Sequence, residues 1–121
     1  MDKKLRTDIY NTLSNFLESY KAKDTQTLAG RYDISDGFLE EIYEMLDFIE
    51  DKSNLTLFPI EEMDKREGGK SNLEIFVMNN TDEVVGIEAS LYERKEYFAV
   101  IKGEYYLNNH FPKFVFHYFS T

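Results

Sequence analysis

With 121 residues, 42% hydrophobic and 16% aromatic, the chain is long enough for one domain with its own core, and its 10 Phe and 9 Tyr exclude disorder and low complexity. It has no cysteine, which excludes a disulfide scaffold, an iron–sulfur or thiolate-zinc site and a cysteine nucleophile. Lys and Arg number 14 against 23 Asp and Glu, and the resulting charge of −9 argues against gripping nucleic acid or an anionic membrane through phosphates.

In chain order, Leu5, Ile9, Leu13, Phe16, Leu17 and Tyr20 recur at spacings of three and four and predict a helix over 3–21, closed by the cations of Lys21-Ala22-Lys23. Asp24 can cap a short second helix, Thr25–Gly30, with Leu28 turned inward and Gly30 as its stop. A third helix is expected from Asp36 to Asp51, capped by Ser35 or Asp36, with Phe38, Ile42, Met45, Leu46 and Ile49 as its buried stripe. Leu55–Phe58 reads as a short strand stopped by Pro59, and the charged stretch 60–71 as an exposed loop. From Asn72 the period is near two, giving strands over Leu73–Met78, Val85–Tyr92, Tyr97–Leu107 and Phe114–Phe119, separated by turn chemistry at 79–82, 94–96 and 108–109.

These elements make a single α+β domain over 1–121, with three N-terminal helices packed on a curved antiparallel sheet of four to five strands. Met1–Arg6 opens an amphipathic pattern with no apolar signal region after it, and no stretch is long enough to span a bilayer, so the expected location is the cytoplasm.

The junction from Phe16-Leu17-Glu18-Ser19-Tyr20 through Lys23-Asp24 to Leu28-Ala29 resembles the nuclear transport factor 2-like (cystatin-like) cone superfamily, in which a long first helix meets an Asp-led short helix anchored by Leu. The order of elements after it is also similar. The resemblance implies a pocket-bearing scaffold shared by isomerases, dehydratases, accessory subunits and small bacterial immunity proteins, and does not choose among them. The polar catalytic set that enzymatic members hold inside the cone has no counterpart that can be assigned in this sequence.

Charge is segregated. Eight acids and no Lys or Arg lie between Asp33 and Asp51, leaving 15 acids against 14 bases elsewhere. On one continuous helix Asp36, Glu40, Glu44, Asp47 and Asp51 would share an arc of roughly 80°, opposite the apolar stripe, with Glu41 beside them. Like charges four residues apart, and acids near a helix C-terminus, are locally unfavourable. Two readings stand side by side: a solvated face, or a docking face for a basic protein. A calcium loop is absent from the pattern.

Other constellations point to structure rather than chemistry. His110 and His117 lack zinc spacing and read as turn and strand residues. Glu88 and Glu104 are expected to face solvent or pair with Lys102 or Arg94. The aromatics from Tyr92 to Phe119 read as core and cross-strand packing, with any left on an open face serving as interface anchors. Gly68-Gly69 is a loop tip without phosphate-loop spacing.

No motif names a reaction, and no cofactor or metal is expected. The leading expectation is a non-enzymatic, immunity-type inhibitor that neutralises a basic partner, such as a nuclease toxin domain, through Asp36, Glu40, Glu41, Glu44, Asp47 and Asp51. The alternative is a cone-fold enzyme or carrier with a pocket between helices and sheet, lined by Tyr and Phe around buried carboxylates. A third is a homodimer formed through sheet aromatics.

Overall fold

Helix α1 (Lys3–Lys21) takes the length its periodicity predicts and buries Ile9, Leu13, Phe16, Leu17 and Tyr20 along one face. The computed structural model describes residues 3–47, 49, 51–67, 69–78, 82–108 and 111–121, with the backbone alone at 66 and 67. Asp24 caps α2 by accepting from the Thr27 N–H (3.2 Å) and the Thr27 hydroxyl (2.7 Å). Helix α2 (Thr25–Tyr32) continues past Gly30, its expected stop, because Tyr32 is buried edge-on against Phe16, with ring centroids 5.2 Å apart. Asp33, in the left-handed region at φ 54°, closes it by donating its N–H to the Leu28 carbonyl.

Helix α3 covers Asp36–Met45 and is shorter than the 36–51 span its apolar spacing predicts. Ser35 caps it at the Phe38 N–H as expected. Beyond Met45 the bonds tighten to three-residue turns, Asp47 N–H to Glu44 and Ile49 N–H to Leu46, both 3.1 Å. The last helical turn carries no cation to offset its acids, while Leu46 and Ile49 both turn into the core. Asp51 is therefore not on the helix: it caps a separate 3-10 turn, Lys52–Asn54.

The sheet is antiparallel throughout. Strands β1 (Leu55–Leu57) and β4 (Leu73–Val77) lie end to end along one side of β5 (Val84–Glu93), β1 opposite Leu91–Glu93 and β4 opposite Val85–Ala89. Ser90 faces the gap between them and donates its N–H to the Asn72 carbonyl at 2.9 Å. Strand β6 (Glu96–Tyr106) follows, then β7 (Phe114–Ser120). The stretch expected to be a plain loop, 60–71, contains a 3-10 turn, a buried Met63 and a ribbon of β2 (Arg66–Glu67) with β3 (Lys70–Ser71). Gly69 allows that ribbon's turn at φ +84°. The turns expected at 79–81 and 109 lie outside the described residues.

Two bulges curve the sheet, at Leu91/Tyr92 on the β5–β6 ladder and at Lys102/Gly103 on the β6–β7 ladder. In the second, Lys102 opposes Tyr118 and Gly103 opposes Phe116, so His117 is the extra residue. The parity change lets Phe114, Phe116 and Phe119 all point inward. They meet the helices there: Phe16 packs on Phe114 (5.3 Å) and Phe116 (5.0 Å), Tyr20 on Phe119 (5.1 Å), and Phe38 on Phe116 (6.0 Å). Among the described residues no helix is long and apolar enough to cross a membrane.

Candidate functional site

Asp36, Glu40, Glu41 and Glu44 project from α3 and Asp47 from the turn behind it, and all five are exposed. Among the described residues none of the five forms an ion pair. Glu50 lies outside the described residues. Asp51 is separated from this face and accepts from the Ser53 N–H (3.0 Å) and hydroxyl. The Ser53 hydroxyl, then its N–H and then Arg94 hold the Asp51 carboxyl below its ordinary value. The single stripe of five expected from helical spacing is thus cut to its first four members, with Glu41 alongside.

Next to the acidic face, Tyr20 and Tyr43 stack at 5.7 Å and 24°. Both hydroxyls are buried and have no hydrogen-bond partner among the described residues. Burial pushes both phenols up, and for Tyr20 the neighbouring Tyr43 and Asp47 add to it. The Lys23 ammonium sits 5.7 Å from the centre of the Tyr43 ring.

The outer face of the sheet is polar where β5, β6 and β7 run side by side. Glu88 pairs with Lys102 at 3.5 Å, as expected, and the Lys102 ammonium lies over the Tyr118 ring. Glu88 is the main reason the Lys102 ammonium is held above its ordinary range. Glu104 meets His117 instead, at 3.1 Å, so the bulged residue reaches a carboxylate on the outer face. The expectation for His110 falls outside the described residues.

A groove of about 1210 Å³ opens on this same outer face, towards the edge formed by β1 and β4. Its floor follows alternate residues of β5, Glu88, Ser90 and Tyr92, and ends at Arg94 in the hairpin turn. One wall is built from residues within 53–59 and from Glu62, Lys65, 70–72 and Glu74, where the Asn72 amide donates to the Glu62 carbonyl and accepts from the Tyr92 hydroxyl, both near 2.8 Å. The far wall carries Tyr97 and Val100 of β6. Tyr97 stands edge-on to Tyr92 and is 63% exposed. Sequence reasoning did not find this groove, because its three segments are distant along the chain. The turn expected at 94–96 is the β5–β6 hairpin beside it, and the structure adds that Arg94 and Lys95 both hold positive φ (51° and 71°), where Asn-Gly is the unstrained choice.

The space between helices and sheet, where the alternative reading puts a pocket, is filled by Phe16, Tyr20, Phe114, Phe116 and Phe119. Among the described residues no charged or polar side chain is buried there, and no cluster of three potential metal ligands occurs. Comparison with protein-family models, with curated proteins and with solved structures gives no match.

Proposed function

We propose that this protein is a non-enzymatic binding protein that docks a basic protein partner on the acidic face of α3, in the manner of an immunity protein covering a nuclease toxin. The observation that carries this reading is the row of exposed carboxylates, Asp36, Glu40, Glu41, Glu44 and Asp47, which have no cation to pair with among the described residues. Such a row raises the free energy of the isolated chain slightly. A basic partner reverses that cost: unlike potentials speed encounter, and the carboxylates gain counter-charges as water leaves the contact. A surface of this charge also imitates the phosphate backbone that a nuclease cleft is built to grip. The nuclear transport factor 2-like scaffold remains part of the proposal, supported by the Asp24 junction between α1 and α2 and by the order of helices before sheet.

The test is capture of the partner by tagged protein, wild type beside the triple variant Glu40→Lys, Glu44→Lys, Asp47→Lys. A stoichiometric basic partner should be retained by the wild type, released by high salt and lost by the variant, whose circular dichroism should be unchanged. If that partner degrades nucleic acid, added wild-type protein should stop it. Equal capture by the two proteins would overturn the proposal.

A further inference from the structure

The groove on the outer sheet face is independent of the acidic helix and has the opposite charge balance. Two of its three carboxylates are paired with cations, Glu62 with Lys65 (3.3 Å) and Glu88 with Lys102 (3.5 Å), while Glu74 accepts from the Ser71 N–H (2.8 Å) and keeps its charge. Lys70, Arg94 and Lys95 also line it, and among the described residues none of these three forms an ion pair. Arg94 acts on Asp51 only at longer range, as the last of the influences on that carboxyl. Set against the one unpaired carboxylate, Glu74, the three cations leave the groove's uncompensated charge positive, on a protein whose net charge is −9.

Shape and polar groups narrow the ligand. From Glu88 to Glu93 the floor covers five residue steps of extended strand, about 17 Å, before the hairpin turn at Arg94. The volume of about 1210 Å³ exceeds the 300–1,000 Å³ usual for a small-molecule pocket. The side chains of Asn54, Thr56 and Ser90 line this length without a hydrogen bond among the described residues, as a peptide main chain would require of its host. A nucleic-acid strand, anionic at every phosphate, would meet Glu74 and Glu88 at one end. A peptide places its carboxylates only where cations await them. The cations cluster at the Arg94–Lys95 hairpin, which keeps two side chains in left-handed conformations that Asn-Gly would adopt without strain.

We infer that this groove binds an extended peptide segment of about six residues from another protein, acidic at the end that meets Arg94 and Lys95. Fluorescein-labelled hexaglutamate is the probe, measured by anisotropy at low salt against labelled hexa-alanine and a six-nucleotide thymidylate. Hexaglutamate should bind tighter than either. The double variant Arg94→Asn, Lys95→Gly should weaken it at least about tenfold, because two counter-charges are lost. The same variant should raise the melting temperature, since it installs the favoured turn, so lost binding cannot be attributed to unfolding. Lys70→Gln, on the opposite wall, should also weaken binding, whereas Lys4→Ala, on exposed α1 surface, should not. The inference is overturned by hexaglutamate binding no tighter than hexa-alanine, by an unchanged affinity in the double variant, or by an equal loss in Lys4→Ala. Tighter binding of the thymidylate would overturn it too, by assigning the groove to nucleic acid.

Discussion

Gly103 sits where β6 crosses the bulge in β7, and an added Cβ there would collide with the Val115 carbonyl and approach the Phe114 ring to 2.8 Å. Backbone and a buried ring cannot both give way, so Gly103→Ala should destabilise the protein by about 2 kcal/mol, read from the urea midpoint. Single residues were legible in the sequence where their chemistry is local. Asp24 and Ser35 announce themselves as caps, and both accept the expected N–H groups. Gly103 and His117 were not legible, because a bulge is decided by the strand opposite. The turn at Arg94 and Lys95 was legible, but not its left-handed backbone, because these are not the usual residues of such a turn.

At the scale of elements, α3 shows how electrostatics can end a helix that periodicity would continue. Its apolar residues keep helical spacing as far as Ile49, yet the backbone leaves the helix after Met45 with acids and no cation in the final turn. Glu44→Lys would place a cation at that end, four residues after Glu40, and should stabilise the free protein by about 0.5 kcal/mol in a denaturant titration. The strands were readable from their period of two, including the small edge strand β1. The ribbon of β2 and β3 was not, because four charged or small residues carry no periodic signal. The groove was illegible for a related reason, since its walls meet only once β1 and β4 share one side of β5.

Across the whole molecule, the interior is aromatic and its tyrosines are held neutral. Tyr20, Tyr32, Tyr43 and Tyr105 are all pushed above the ordinary phenol value, chiefly by burial. Between the unfolded value near 10 and the higher folded values, the unfolded chain has lost protons that the folded one retains. Stability should therefore be flat with respect to these groups below about pH 10 and fall above it. Denaturation midpoints at rising pH, followed beside tyrosinate absorbance, would show the two changes together; midpoints constant to pH 11.5 would contradict this, roughly 1.5 units above the free phenol value. The last strand raises a different matter. Phe114–Ser120 reads FVFHYFS, with no Asp, Glu, Lys or Arg, and it ends the sheet with its far side unpaired by any described strand. An uncharged, aromatic edge of this kind can template stacking with its own copies, even with the bulge at His117. Here α3 packs on that strand through Phe38 against Phe116, so two edges cannot approach without bringing two acidic helices towards each other. The carboxylates proposed to meet a basic partner would thus also serve as gatekeepers against fibrillation, a protection that lapses when acid neutralises them.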